Sequence, residues 1–203
     1  MTNARKTQIN EDFLLDRRTA VPAVIGEPSD FLIISGLSGA ARDIGYLTEG
    51  APHAYLLGGA MGAAASMGLG LALAQPERRV LIVSGDGEFL MNVSSLATIG
   101  HMRPSNLAML CIDNGRYGET GNQESHTYRT ADLAAIAHGS GIDITLTVRS
   151  EDQFEQAARA LRSESGPSFV VLRVNDGAPA DYARNFDAVE TKANFRRALL
   201  AGY

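Results

Sequence analysis

The sequence predicts an α/β fold in which a doubly wound, mostly parallel β-sheet is flanked by helices. Short apolar runs rich in β-branched residues alternate along the chain with longer helix-like segments, which is the order that a parallel sheet requires. The chain has 203 residues, which is enough for one sizeable domain but short for two. We therefore expect a single domain over residues 1–203, with a helical lead-in at 1–30 and a C-terminal tail and helix at 175–203.

The predicted strands and helices follow one another in a regular order. The strands are FLIIS at 31–35, VLIVS at 80–84, LAMLCI at 107–112, ITLTV at 144–148 and FVVLRV at 169–174. Helices are expected at 61–74, 93–101, 130–138, 150–162 and 191–200. The fourth of these helices has a clear start signal, because Ser150 is followed three residues later by Gln153 in a capping-box pattern.

The composition argues against several classes of protein. The formal net charge is -5 and no dense basic block is present, which argues against a nucleic-acid-binding surface. Cys111 is the only cysteine, so there is no disulfide framework and no cysteine metal cluster. The N-terminal residues lack the apolar segment of a secretion signal, and the stretch 54–74 contains too much glycine for a membrane span. We expect a cytoplasmic protein that binds neither nucleic acid nor membrane.

Two glycine-containing turns follow neighbouring predicted strands. Gly85-Asp86-Gly87 ends the run VLIVS, and an Asp-Asn-Gly turn with Asn114 at its centre ends the run LAMLCI. If both strands are parallel, their carboxyl ends lie side by side, where open α/β sheets bind ligands. A carboxylate and an amide oxygen beside free backbone N–H groups suit a divalent cation that carries a diphosphate. Alone, Gly-Asp-Gly is a common surface turn, and the second turn after the next strand makes the ligand site the better interpretation.

This pair of turns resembles the signature of thiamine diphosphate enzymes, in their diphosphate-binding domain. The resemblance implies a thiamine diphosphate-binding fold with thiamine diphosphate and Mg²⁺ as cofactors, the metal being held by Asp86, Asn114 and the backbone carbonyl of Arg116. Asp113 stands where the family often has Asn, and no ligand role is implied for it. Glu88 stands where the family has a small residue near the diphosphate, so its side chain is expected to point away or to lie on the rim. Gly85, Gly87 and Glu88 are implied to contact the cofactor through the backbone.

The glycine-rich segment at 56–74 contains a second point of resemblance. Its simplest interpretation is a small-residue helix packed tightly on the sheet, and for 63–74 we keep that interpretation. The loop before it resembles the family's G-x-MG turn, which implies that Met61 wedges beneath the thiazolium ring and holds the cofactor bent. Gly59, Ala60 and Met61 are then implied cofactor contacts, with Met61 also counted as catalytic.

Two further loops have weaker signatures. SGLSG at 35–39 fits a strand-to-helix turn with Ser38 as N-cap, and the family resemblance makes Gly36 and Ser38 candidate diphosphate contacts. The string YGETGNQ is similar to small two-subunit 2-oxoacid decarboxylases of the sulfopyruvate and phosphonopyruvate type. That similarity implies that Tyr117 and Gly118 contact the cofactor and that Glu119 and Thr120 line the active site. The loop containing this string can also be an ordinary surface loop.

The same loop ends with a histidine that we regard as a proton-transfer candidate. Histidine as a residue type gains and loses a proton near physiological pH, which is the reason for including His126. The other histidines of the chain are interpreted as structural.

The resemblance covers 31–174 and matches only the diphosphate-binding domain. In the family, a Glu on a separate pyrimidine-binding domain activates the cofactor. We therefore expect a separate pyrimidine-binding subunit that supplies this Glu, a heterotetramer or larger assembly, and a lyase that is inactive without its partner. The expected reaction is decarboxylation of a small anionic 2-oxo acid. Alternatives are a 2-oxoacid oxidoreductase or carboligase subunit with the same cofactor, or a non-catalytic subunit. Oxidoreductase subunits of this kind normally carry several cysteines for an iron–sulfur cluster, and this chain has only one.

Overall fold

The computed structural model describes residues 13–202 as alternating strands and helices. The strands are β1 (Leu32–Ser35), β2 (Ala54–Leu56), β3 (Val80–Gly85), β4 (Leu107–Asp113), β5 (Arg116–Tyr117), β6 (Gln123–Glu124), β7 (Ile144–Val148) and β8 (Ser168–Arg173). The helices are α1 (Arg17–Ile25), α2 (Ser38–Leu47), α3 (Ala63–Ala74), α4 (Asp86–Met91), α5 (Ser95–Met102), α6 (Leu133–Gly139), α7 (Phe154–Leu161) and α8 (Ala188–Leu200). Residues 1–12 of the predicted N-terminal lead-in lie outside the described residues.

Six strands form one parallel sheet in the order β2-β1-β3-β4-β8-β7, and β5 and β6 form a separate antiparallel hairpin. The predicted doubly wound α/β fold is therefore confirmed. The chain runs from β1 to β2 on one side and then returns with β3 to the other side of β1. This change of direction opens a crevice at the carboxyl ends of β1 and β3, where open α/β sheets bind ligands.

Helices cover both faces of the sheet. Alternate residues of β3 point to opposite faces, so that Ile82 belongs to the core beneath α3, α5 and α6, and Leu81 to the core beneath α1, α2 and α7. The contact with α3 is close, since a Cβ added at Gly68 would lie 2.2 Å from a side-chain carbon of Ile82. Phe89 and Phe169 meet edge to face at 5.0 Å and close the first core.

The structure differs from the sequence prediction at several element boundaries. The helix expected at 61–74 begins at Ala63, because Gly62 before it has a left-handed backbone (φ 81°). The N-cap assigned to Ser38 is wrong: Leu37 is the cap, and Ser38 begins α2 with φ 61°. The capping box at Ser150 is present. Across residues 13–202, no helix combines the length and apolar character needed to cross a bilayer.

Candidate functional site

A cavity of about 470 Å³ opens at the carboxyl ends of β1, β3 and β4. It lies at the crevice created by the change of direction between β1 and β3. The predicted site residues that line it are Ser38, Met61, Gly85, Asp86, Gly87, Glu88, Asn114, Arg116, Tyr117, Gly118, Glu119 and Thr120. Loops that are distant in the chain are therefore brought together by the sheet.

Strand register explains why two carboxylates meet at the base of this cavity. Gly85, the last residue of β3, is paired with Ile112 of β4, so Asp86 at the start of α4 and Asp113 at the end of β4 follow at the same level. Both side chains are buried, Asp86 with 1% of its surface exposed and Asp113 with none. Burial, and then the neighbouring Asp113 carboxylate, raise the pKa of Asp86 to about 7.

Two hydroxyl groups hold the Asp86 carboxylate in place. Its Oδ2 accepts hydrogen bonds from the hydroxyl of Ser125 and, at 3.0 Å, from that of Thr127. Thr127 Oγ1 is also 2.8 Å from Oδ1 of Asp113. Because a hydroxyl has one proton, Thr127 donates to only one of the two carboxylates at a time. The two aspartates are therefore joined through one shared donor.

The second carboxylate of this pair is neutralised by a buried arginine. Arg173 of β8 is the register partner of Asp113, and its Nη1 lies 3.1 Å from Asp113 Oδ2. Burial raises the pKa of Asp113, whereas the Arg173 guanidinium lowers it. Arg173 also donates to the backbone carbonyl of Thr127 at 3.0 Å. The arginine contacts Asp113 and not Asp86, so Asp86 is the carboxylate that faces the cavity.

The Asn114 amide is fixed at the rim of the cavity by two hydrogen bonds. Its Oδ1 accepts from the backbone N–H of Arg116 at 3.2 Å, and its Nδ2 donates to Asp176 at 3.3 Å. The Arg116 side chain turns away and lies over the ring of Tyr128, 4.6 Å from its centroid. An amide oxygen has two lone pairs, so Oδ1 retains the capacity to bind a cation.

The donor set fits a hard divalent cation. Among residues 13–202, no three His, Cys, Asp or Glu side chains cluster as metal ligands. The oxygens available instead are the Asp86 carboxylate, the Asn114 amide and the backbone carbonyl of Arg116, a set that suits Mg²⁺ with water completing its shell. A cation here would also offset the free-energy cost of burying the negatively charged Asp86 carboxylate beside Asp113. This is the reason that the site fits a metal.

Glu88 lies beneath the turn that follows β1. Its Oε2 accepts from the backbone N–H of Leu37 at 3.0 Å and from the Ser84 hydroxyl at 2.7 Å. Burial raises the pKa of this carboxyl. A Cβ added at Gly36 would lie 2.0 Å from the same oxygen, so only glycine leaves room for this contact. Gly36 therefore packs over Glu88 and does not line the cavity.

Three other predicted site residues also lie outside the cavity lining. Gly59 and Ala60 are exposed, and nothing approaches within 4 Å of a Cβ added at Gly59. His126 is exposed, with its Nδ1 3.5 Å from the hydroxyl of Tyr117. Tyr117 itself packs on the first turn of α4, where a Cβ added at Gly87 would lie 2.5 Å from its ring.

The loop after β5 contributes an acidic side chain to the cavity mouth. Glu119 Oε1 is 2.9 Å from Nη2 of Arg184, and this hydrogen bond is the main cause that lowers the pKa of Glu119. The next residue, Thr120, donates from its hydroxyl to Gln123 at 3.2 Å. Glu119 is therefore held as a carboxylate by the segment that follows β8.

Comparison with known proteins identifies the family of this chain. Residues 35–172 match the family model described as "Thiamine pyrophosphate enzyme, C-terminal TPP binding domain". The chain belongs to the thiamine pyrophosphate enzyme family. The matched segment begins at the end of β1 and ends in β8, so it includes Asp86 and Asn114 and the cavity between them.

Individual relatives agree with this membership. The sulfopyruvate decarboxylase subunit beta of Methanocaldococcus jannaschii is 39% identical over 142 residues, which are 70% of this chain and 74% of that protein. The phosphonopyruvate decarboxylase of Streptomyces viridochromogenes is 35% identical over 86% of this chain but only 46% of its own length. The solved Rhodococcus jostii RHA1 thiamine diphosphate-dependent 4-hydroxybenzoylformate decarboxylase has the same fold (TM-score 0.64, 19% identity), covering 87% of this chain and 34% of that one.

The sequence prediction missed the residues of this candidate site that lie beneath and beside the segments at Asp86 and Asn114. They are Ser125, Thr127, Arg173, Asp176 and the arginines of the cavity wall. One signal was available, because a charged residue within an apolar strand such as FVVLRV needs a buried partner. Ser125 and Thr127 had no such signal, since hydroxyl residues in a polar loop are common.

Proposed function

We propose that this chain is the diphosphate-binding subunit of a heteromeric, thiamine diphosphate- and Mg²⁺-dependent lyase that decarboxylates a small anionic 2-oxo acid. The observation that carries the proposal is the placement of Asp86 and Asn114 on one cavity, at the switch point of a sheet whose sequence matches the family. The names of the sulfopyruvate and phosphonopyruvate decarboxylase relatives support the reaction.

Each part of the cavity has a role in this proposal. Asp86, the Asn114 amide oxygen and the Arg116 carbonyl would hold Mg²⁺, and the backbone of Gly87 would face the diphosphate. Met61, at the cavity wall, would support the thiazolium ring from below. Thiamine diphosphate supplies the carbon nucleophile that adds to a 2-oxo acid and accepts the electron pair released with CO₂. The protein's contribution is to hold that group and to exclude water.

The proposed partner is a separate pyrimidine-binding chain. The Methanocaldococcus jannaschii relative is named as a subunit, and the Streptomyces viridochromogenes relative is about twice as long as the segment that this chain matches. A second chain of similar size would supply the missing half, including the activating Glu. We expect a heterotetramer or larger assembly in the cytoplasm, because closed two-fold symmetry is the commonest arrangement of such subunits.

The test is CO₂ release from pyruvate, sulfopyruvate, phosphonopyruvate and benzoylformate, with Mg²⁺ and thiamine diphosphate present. We expect the isolated chain to release no CO₂, and we expect CO₂ release when the partner chain is added. Robust turnover by the isolated chain would contradict the divided site. Turnover that requires an added oxidant or acceptor would favour the oxidoreductase or carboligase alternatives. Cys111 is fully buried in β4 and offers no ligand for an iron–sulfur cluster.

A further inference from the structure

Two arginines in the cavity wall each have an N–H group that lacks a hydrogen-bond partner. Within the described part of the chain, Nε of Arg42 and Nη1 of Arg184 are buried and make no hydrogen bond. Both residues line the cavity, Arg42 from α2 and Arg184 from the segment between β8 and α8. Burying an unpaired donor costs free energy, so two such donors in one cavity point to a ligand that satisfies them.

The existing ion pairs leave these donors free. Arg184 uses Nη2 for Glu119, at 2.9 Å. Arg42 uses Nη2 for Asp181, at 3.6 Å, and that aspartate is fully exposed. A third arginine of the wall, Arg17, differs because its Nε and Nη2 both bond to Asp43, at 2.8 and 2.7 Å. Arg17 therefore has a structural role, whereas Arg42 and Arg184 retain binding capacity.

The two free arginines line the same cavity as the acidic side chain of Glu119. The pKa of Glu119 is lowered first by its hydrogen bond with Arg184, then by the Ser38 hydroxyl and by the charges of Arg184 and Arg42. Glu119 is thus an internal anion that pairs with Arg184 and lines the same cavity as Arg42. An external anion that enters the cavity would be attracted by the positive charges of the same two arginines.

We propose that Arg42 and Arg184 form a subsite for a tetrahedral oxyanion, with Glu119 as its internal competitor. Guanidinium groups bind such anions through paired N–H donors, and three oxygens on one centre can satisfy two arginines together. Two sources share this chemistry: the distal sulfonate or phosphonate of the substrate, and the terminal phosphate of thiamine diphosphate. Identifying the anion as the acid group of the substrate rests on the proposed decarboxylase function, whereas the existence of the anion subsite does not.

A competitor role for Glu119 separates this proposal from a purely structural ion pair. If Arg184 binds the anion, Arg184→Gln weakens binding, while Glu119→Gln strengthens it by removing the competing carboxylate. If the pair only fastens the C-terminal segment, both substitutions break the same contact and change anion binding in the same direction. The sign of the effect therefore decides between the two roles.

The experiment is calorimetric titration of the full chain with methylphosphonate, without cofactor and at ionic strength held constant with chloride. We expect Arg42→Gln and Arg184→Gln to weaken binding by about tenfold or more, and Glu119→Gln to strengthen it by several fold. Arg103→Gln is the matched control, because Arg103 is an exposed arginine that pairs with Asp143 away from the cavity. Unchanged affinity in both cavity variants, or parallel weakening by Glu119→Gln and Arg184→Gln, would overturn the subsite.

A second titration identifies the source of the anion. The chain is first saturated with thiamine diphosphate and Mg²⁺ and then titrated with methylphosphonate. Retained binding supports the subsite as the receptor for the substrate's distal acid group, and lost binding supports it as a receptor for the cofactor's phosphate. Failure of the chain to bind thiamine diphosphate would contradict the proposed function, yet it would leave the result of the cofactor-free titration intact.

Discussion

Replacing Asp86 with Asn is expected to stabilise the ligand-free protein in alkaline buffer, although it removes a proposed metal ligand. Burial and the Asp113 carboxylate raise the pKa of Asp86 from its ordinary 3.8 to about 7 in the folded chain. The folded protein therefore keeps this proton to a much higher pH than the unfolded chain. The stabilising contribution of the group is complete below pH 3.8 and is lost as the pH rises through about 7.

The expected size of the effect follows from the two pKa values. Their difference corresponds to about 4 kcal/mol of unfolding free energy, because one pKa unit is worth about 1.4 kcal/mol. An Asn amide has nearly the same shape as the carboxyl group, carries no charge and can still accept from Ser125 and Thr127. We therefore expect a small difference between variant and wild type near pH 4. Near pH 8 the variant is expected to be more stable by up to about 4 kcal/mol.

The measurement is urea unfolding of both proteins between these pH values, with a chelator present to remove cations. The difference between variant and wild type is the quantity to follow, because Glu88 and Asp43 also have pKa values raised by burial and their contributions cancel. Asp143→Asn is the control, since the Asp143 side chain is 75% exposed. A stability difference at Asp86 that does not grow with pH would refute the electrostatic reasoning.

Four further substitutions test the hydroxyl network, the helix packing and the cavity wall. Thr127→Val is expected to destabilise the chain by about 1–3 kcal/mol in urea unfolding, because two buried carboxylates lose their shared donor. Gly68→Ala, which would clash with Ile82, is expected to cost about 1–3 kcal/mol, whereas Gly70→Ala on the same helix meets nothing and is expected to be neutral or stabilising. Met61→Ala is expected to leave cofactor affinity unchanged and to slow turnover with the partner by about tenfold or more.

Each of these expectations has a clear contrary result. Full stability of the Val variant would show that Thr127 is not needed between the carboxylates. Equal costs at Gly68 and Gly70 would show that the helix does not pack as closely on β3 as the structure has it. Normal cofactor affinity together with normal turnover in the Met61 variant would show that a residue other than Met61 supports the thiazolium ring.

Much of the fold could be predicted because the strands are buried on both faces. Runs such as VLIVS and LAMLCI have no polar side, which is typical of central parallel strands, and they form β3 and β4. The edge strand β2 was missed because it has only three residues, all half-buried. Helix α2 was not delimited, since its sequence SGAARDIGYL contains two glycines and begins without a side-chain cap.

The part of the candidate site that the residues after each strand determine could be predicted from the sequence. The part that depends on contacts between residues far apart in the chain could not. Asp86 and Asn114 needed only the assumption of adjacent parallel strands. The buried position of Glu88 beneath the β1 turn depends on Ser84 and on a backbone N–H 51 residues away, which local sequence does not show. The exposure of His126 likewise follows from how its loop packs on the molecule.

Mg²⁺-dependent binding of thiamine diphosphate at Asp86 is the property on which the proposed function depends. Calorimetric titration of the purified chain with thiamine diphosphate measures it directly, with and without Mg²⁺, for the wild type, Asp86→Ala and the exposed control Asp143→Ala. We predict binding only with Mg²⁺, normal affinity in the control, and at least about a hundredfold loss in Asp86→Ala. Near-native affinity of the Asp86 variant for thiamine diphosphate, or equal wild-type affinity with and without Mg²⁺, would contradict the assignment of this cavity as the cofactor site.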